Sequence, residues 1–482
     1  MFFVAHRFTS YTKDVKTYFF YDLETSGLNA RDDRIMQFAG QRTDMDLVPV
    51  GDPVNILVKL ADDILPSPDA IMVTGITPQS TLNDGHSEAE FCELLVSELF
   101  TADTIAVGYN NVRFDDEFIR HTLWRNFYDP YEWAWSEGRG RWDMLDVVRM
   151  TRALRPAGIE WPVDETGKAV NKLELLASVN NLTHAKAHDA LSDVVALIDL
   201  SNLIKTKQPK LFEYLSSMRD KKKIAELVRM EDPQAFVYTS GRFDAAHEKT
   251  TVAFPLVPGI NPGAVVIYDL RHDPTPFLRA TPKQLSEILF APYDRRKQEG
   301  FLSLPVKELS YTRCPAVAPL GVLDDETRAR LNIDLGLIKK HMSVLTEHPE
   351  FAHAVHEAFQ MREPYVIVDD VEHKLYDGFI PDKDKPRIGV VRNASANDLA
   401  DFHPQFIDER LDDLLFRYKA RQFPSSLSEL EHEKWEAYRE EKLQKRIGPY
   451  LESLERLKRS GADAYLLEEL HLWAESIMPG DD

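Results

Sequence analysis

The sequence predicts an α/β domain at its N-terminal end, a small and largely β module after it, and a helical C-terminal region. Three observations carry this prediction. Strand-like and helix-like signals alternate from Tyr18 to about Lys205, the pattern of a sheet covered by helices. Short β-like runs separated by turn residues fill the stretch from about Val237 to Ser310. Beyond about Glu357, Glu, Lys, Leu and Arg recur at helical spacing, most densely from Ser428 to Trp473. The boundaries fall at 1–203, 204–356 and 357–482 of the 482 residues, in keeping with about 150 residues per domain.

The elements follow in order. Tyr18-Phe-Phe-Tyr-Asp-Leu23 is a short apolar run of strand length. Ser87-Glu-Ala-Glu90 is a capping box, and it opens a helix that runs toward Phe100. Thr104-Ile-Ala-Val-Gly108 reads as a second buried strand. Helical patterns start near Asp115, Asp143, Lys172 and Asp189. In the middle region Ala264-Val-Val-Ile-Tyr268 is the clearest strand, set off by the turn pair Pro262-Gly263. There is no internal repeat and no low-complexity tract. A G-x-x-x-x-G-K-[ST] loop is absent too, so nucleoside-triphosphate hydrolysis has no seat.

Composition narrows the classes. No run of about 18 apolar residues is present, so no membrane span is expected. Met1 to Lys16 lacks a long apolar run before a small-residue cleavage site, so no signal peptide is expected. The two cysteines, Cys92 and Cys314, have neither the spacing of a zinc site nor the number of a disulfide framework. A reducing cytoplasm is the expected location. The net charge, 58 − 79 = −21, opposes a polyanionic partner, but electrostatic fields act locally and a basic groove can sit on an acidic body. Leu200 to Met230 holds eight Lys/Arg against three Asp/Glu.

Four acids and a histidine carry chemistry. Asp22 and Glu24 lie two apart at the end of a predicted strand, where alternate residues share a face. Asp115 follows the second strand and opens a helix, where the helix dipole favours a negative charge. His188-Asp-Ala-Leu-Ser-Asp193 places His188 just before a helix and Asp193 in its first turn. Hard oxygen ligands suit Mg²⁺ or Mn²⁺ rather than zinc. Two such ions about 3.5–4 Å apart stabilise the attacking and leaving oxygens of a phosphodiester. A histidine beside the attacking water can take its proton. Each piece alone is common as a solvated turn or a helix-start residue. Their order, spacing and placement together make the case.

These segments resemble the three exonuclease motifs of the DEDD superfamily, in the subclass whose fifth residue is histidine. Flanking stretches resemble the bacterial exodeoxyribonuclease I family: Gly108-Tyr-Asn-Asn-Val-Arg-Phe-Asp-Asp-Glu117, Arg125-Asn-Phe-Tyr-Asp-Pro-Tyr131, Arg141-Trp-Asp-Met-Leu-Asp146 and Ala153-Leu-Arg-Pro156. Ile76-Thr-Pro-Gln79 and Leu414-Leu-Phe-Arg-Tyr-Lys-Ala-Arg421 extend the resemblance along most of the chain. It implies an RNase H-like exonuclease domain, an SH3-like α+β domain and an all-α C-terminal domain. It also implies processive 3′→5′ digestion of single-stranded DNA to 5′-mononucleotides by two-metal hydrolysis, in repair and recombination. Asp22, Glu24 and Asp193 would hold the first Mg²⁺, for which Mn²⁺ substitutes. Asp22 would also touch the second, with Asp115 supporting it, and His188 would orient or deprotonate the water. The motifs by themselves fit an RNA-trimming or proofreading exonuclease equally well, and a silent single-strand-binding module is the reading from another class.

Arg113 to Trp161 carries five of the seven tryptophans, and Arg113 to Arg155 holds eight arginines against eight Asp/Glu. Aromatic faces stack on unpaired bases whatever their sequence, and arginines grip phosphates in bidentate fashion. Burial in a core is the competing role for each tryptophan. The resemblance favours Arg120, Tyr131, Trp135 and Arg149 as strand contacts. Lys172 stands where better-known members place an arginine, keeping the charge but losing the planar fork. Lys221-Lys-Lys223 could extend a phosphate path, although a solvated helix face is the commoner use. The resemblance further implies a monomer, associated with the nucleoid. Its partner would be the single-stranded DNA-binding protein, whose acidic tail would dock near Arg155, Tyr214 and neighbouring lysines.

Overall fold

A computed structural model describes residues 16–183, 189–363 and 369–479. By contacts the chain divides into two compact units. One comprises Met1–Arg141, Thr183–Ile198 and Ile367–Asp482, the other Trp142–Leu182 and Asp199–Val366.

The first unit is built on a five-stranded sheet of order β3-β2-β1-β4-β5, with β1 Thr17–Thr25, β2 Ile35–Thr43, β3 Val54–Leu57, β4 Thr104–Gly108 and β5 Gly140–Asp143. Central β1 pairs antiparallel with β2 and parallel with β4. Tyr18, Phe19, Phe20 and Tyr21 are all buried, as a strand covered on both faces requires. The strand runs past the expected Leu23 to Thr25, because the ladder to Gln37 and Ile35 continues where the apolar run stops. A register shift between Glu24 and Thr25 marks a bulge, the device by which a strand re-aims a side chain.

Helix α1, Glu88–Leu94, opens with both bonds of the predicted capping box at Ser87. It then changes its winding to a π turn over Leu95–Leu99. Helix α2, Asp115–Arg125, follows β4 through a short turn at Asn111–Arg113. Gly108 permits that turn, since a Cβ there would meet the Asn111 side chain at 2.6 Å. Helix α3 is Ala190–Lys207.

The expected helical stretch from Ser428 to Trp473 is two helices, α5 Glu429–Arg459 and α6 Ala464–Ile477, preceded by α4 Arg410–Gln422. Gly461 ends the first of them in the left-handed region at φ 79, and Asp463 caps the second. These helices share cores with the sheet. Met36, Ile64 and Ile71 pack with Leu443, Tyr450 and Trp473; Trp124 and Phe127 pack with Leu411, Leu414 and Tyr418. Each indole finds an acceptor across that seam: Trp473 Nε1 donates to the Ile64 carbonyl at 2.9 Å and Trp124 Nε1 to the Val371 carbonyl at 3.2 Å. This is why residues at the two ends of the sequence form one unit.

The second unit holds an antiparallel sheet of order β10-β6-β7-β8-β9, with β6 Phe236–Thr239, β7 Thr250–Pro258, β8 Ala264–Asp269, β9 Val306–Ser310 and β10 Ala316–Pro319. Strand β10 lies outside the expected β region because four residues, Ala-Val-Ala-Pro, give no alternation to read. Met218, Ile224, Phe236, Val265, Ile267 and Val317 form its core. The helices Met144–Leu154 and Leu173–Val179 belong to this unit. Among the described residues no helix is long and apolar enough to cross a membrane.

Candidate active site

Asp22, Glu24 and Asp193 each offer a carboxylate oxygen, and all three oxygens lie within 4.8 Å of one another. Local structure explains the convergence. Tyr21 and Leu23 are in the core of the first unit, so Asp22 and Glu24 take the opposite face of β1. Asp193 sits in the first turn of α3. That turn is fixed by Asp189, whose carboxylate accepts bonds from the Ser192 backbone N–H at 3.1 Å and hydroxyl at 2.9 Å. Asp115 is buried as the first residue of α2. His188 lies outside the described residues.

These carboxylates resist ionising together. Burial raises the Asp22 carboxyl well above its usual range, and the charges of Asp115, Glu24 and Asp193 add to the rise. Burial, then Asp193 and Asp189, push Glu24 up to about 8. Like charges in a shielded site produce this effect, and a divalent cation reverses it. Three hard oxygen donors converging on one point are the ligand set that Mg²⁺ or Mn²⁺ takes. The site therefore fits a divalent metal.

Behind the cluster lies a network with little trace in the sequence. The Tyr21 hydroxyl donates to Asp116 Oδ1 at 2.5 Å, and Asn111 Nδ2 donates to the same oxygen at 3.2 Å and to the Tyr21 hydroxyl at 3.3 Å. Arg141 pairs with the other Asp116 oxygen. Burial and the charges of Asp116 and Asp115 raise the Tyr21 phenol well above its ordinary range, so it stays a neutral donor. The network pins the start of α2 to β1, next to Asp22 on one side and Asp115 on the other. Its one sequence signal is the adjacent acid pair Asp115-Asp116.

The aromatic segment divides by exposure. Trp124, Trp133 and Trp142 are core residues, Trp161 is half-buried, and Trp135 is 67% exposed. Arg120 pairs with Glu117 at 2.6 Å and lies 5.9 Å from the Tyr131 ring centroid. Two aromatics not singled out by sequence join Tyr131: Tyr376, whose hydroxyl donates to Glu117 at 2.5 Å, and exposed Phe379. In the second unit Arg149 pairs with Asp146 at 2.7 Å, and exposed Lys172 precedes the helix Leu173–Val179 at 3.6 Å from Glu174. Arg155 donates to the Leu154 and Val322 carbonyls and lies 3.5 Å from Asp324. Burial raises the Tyr214 phenol to about 12.

Three family models match the chain in sequence: Exonuclease over residues 19–201, Exonuclease I SH3-like domain over 219–361, and Exonuclease I C-terminal domain over 369–477. The Exodeoxyribonuclease I of Haemophilus influenzae is 38% identical over 448 residues, covering 93% of this chain and 95% of that one. E. coli exonuclease I in complex with a dA16 oligonucleotide matches with a TM-score of 0.93 at 36% identity, over 96% of this chain and 100% of the other. A structure of SSB and exonuclease I with an inhibitor matches with a TM-score of 0.89 at 35% identity, over 96% and 100%.

Proposed function

The chain belongs to the exonuclease I family, and from that premise we propose that it digests single-stranded DNA from the 3′ end, processively, releasing 5′-mononucleotides. The observation that carries the reading is the convergence of Asp22, Glu24 and Asp193 within 4.8 Å, with Asp115 acting electrostatically on Asp22.

Divalent metal use agrees with the family and with this acidic cluster; Mg²⁺ is the ion we assign, with Mn²⁺ substituting. When bound, two such ions supply charge stabilisation for the entering and leaving oxygens of the phosphodiester. Asp22, Glu24 and Asp193 would hold the first ion. Asp22 would also serve the second, with Asp115 supporting it directly or through water. His188 accepts the proton of the attacking water, a role that the ordinary pKa of histidine suits. Tyr21, Asn111, Asp116 and Arg141 keep β1 and α2 in register around these ligands.

The unpaired strand is gripped by stacking and by charge. Trp135 and Tyr131 present faces for bases; Arg120, Arg149 and Lys172 meet phosphates. The single-stranded DNA-binding protein is the proposed partner, through its acidic tail at Arg155 and Tyr214. The enzyme works as a cytoplasmic, nucleoid-associated monomer in repair and recombination. The test is a 5′-labelled single-stranded oligonucleotide with Mg²⁺, digested by wild type and by Asp22→Ala. Shortening from the 3′ end in the wild type only supports the reading. An equal rate in the variant overturns it.

A further inference from the structure

Contacts from the C-terminal segment converge on one loop, residues 26–34, which leaves β1 two residues after Glu24. The loop is closed at its base by a reciprocal pair. Ser26 N–H donates to the Arg34 carbonyl at 2.8 Å, and Arg34 N–H donates to the Ser26 hydroxyl at 2.8 Å. Inside it, the Asn29 N–H donates to Asp33 at 2.8 Å. A Cβ at Gly27 would lie 2.4 Å from the Asp33 carboxylate, which would have to shift to admit it.

Three residues of the C-terminal segment grip this loop. Glu372 accepts from Arg34 at 2.7 Å. His373 and Arg446 both reach Asp32, at 3.0 and 2.8 Å. The Arg34 guanidinium also donates to the Asp32 and Asp33 carbonyls at 3.0 and 3.2 Å, so one side chain ties the loop's backbone to Glu372. Arg34 and Glu372 are each 2% exposed. Glu372 is itself held by Arg421 at 2.5 Å and faces Arg417 at 3.5 Å. Buried ion pairs are poor sources of net stability compared with apolar packing, so a geometric role is the better explanation for this one. Glu24 stands opposite Gln37 at the end of the regular β1–β2 register, which shifts at the next residue, where Thr25 stands opposite Ile35. Arg34 immediately precedes Ile35, so the Ser26–Arg34 closure fixes the loop end of both strands one residue beyond that shift.

We propose that Glu372, acting through Arg34, is a positioning residue that holds Glu24 in place for the metal. The C-terminal helical segment thereby forms part of the metal site's support. The inference rests on Asp22, Glu24 and Asp193 being the metal holders.

The test is Mn²⁺ binding to the full-length, DNA-free protein by titration calorimetry, with melting temperature measured alongside. In Glu372→Gln and Arg34→Lys, Mn²⁺ binds about 10-fold more weakly, the lower end of the effect of removing a partner that orients a ligand. Raising Mg²⁺ restores DNA cleavage in both. Arg34→Lys keeps the buried charge, so it remains informative if Glu372→Gln fails to fold. Leu443→Ala, a core truncation, lowers the melting temperature and leaves Mn²⁺ binding unchanged. An unaltered Mn²⁺ constant in a folded Arg34→Lys overturns the proposal, and so does an equal loss in Leu443→Ala. In either case Asp22→Ala still loses Mn²⁺ binding; if it does not, the metal reading itself has failed.

Discussion

Asp63 and Asp22 are both shielded carboxylates in the same unit, and their surroundings push them in opposite directions. Asp63 is 0% exposed. It takes a fork of two bonds from Arg421, at 3.0 and 2.8 Å, and a third from Lys442 at 2.5 Å. Burial alone would raise its pKa, but Arg421 and Lys442 outweigh burial and hold it well below the carboxylate range. Glu372 and Glu88 behave likewise: Arg421 and Arg34 lower Glu372 against burial, and Arg125 and Arg34 lower Glu88. At Asp22 burial is joined by three more carboxylates, and the pKa climbs. Burial is common to both groups, so neighbouring charge decides between a brace and a metal site.

Breaking each cluster has a different signature. The largest effect is expected from Asp22→Asn. Cleavage falls by about 1000-fold, matching a loss of several kcal/mol of metal-mediated stabilisation. The melting temperature of the metal-free protein rises, because a carboxyl whose ionisation is opposed by burial and by three neighbouring carboxylates gives way to a neutral amide. Oligonucleotide digestion and calorimetry read the two changes. Asp63→Asn does the reverse. It leaves Arg421 and Lys442 short of a counter-charge and costs about 3–5 kcal/mol in denaturant unfolding.

The pH dependence sharpens the contrast. Glu24 titrates near 8 in the folded chain against an ordinary value of 4.5. Between these values the folded, metal-free protein holds a proton that the unfolded chain has released, so stability falls as pH rises from about 4.5 to about 8. Saturating Mg²⁺ flattens that slope, and binding the metal releases protons. Thermal melts across the window, with and without metal, check the sign. The smallest effect belongs to a solvated pair. Arg456 and Asp69 approach to 2.5 Å, but both are more than half exposed, so Arg456→Ala costs less than about 1 kcal/mol.

Much of the candidate site was legible because its signals are local. Asp22 and Glu24 declare themselves by a two-residue spacing at the end of an apolar run, and Asp193 by its place in a helix's first turn. The capping box at Ser87 marked the start of α1, and helical spacing from Ser428 marked the start of α5 within a residue. Other features were not local. Tyr21 read as one more core aromatic, and nothing in its surroundings along the chain points to Asp116, 95 residues away. Trp124, Trp133 and Trp135 have much the same sequence neighbourhood, yet two are core and one faces solvent.

The sequence by itself determined strands β1, β4 and β8, the starts of several helices, the chemistry of the acidic residues and the family, since periodicity, capping and motif spacing act over a few residues. Tertiary structure decided which carboxylates are neutralised and which repel. It also decided that the C-terminal helices share a core with the nuclease sheet, and that Glu372 meets Arg34 across 338 residues. The physical reason is that Coulomb forces and burial depend on distance in space, and only the folded chain sets that distance.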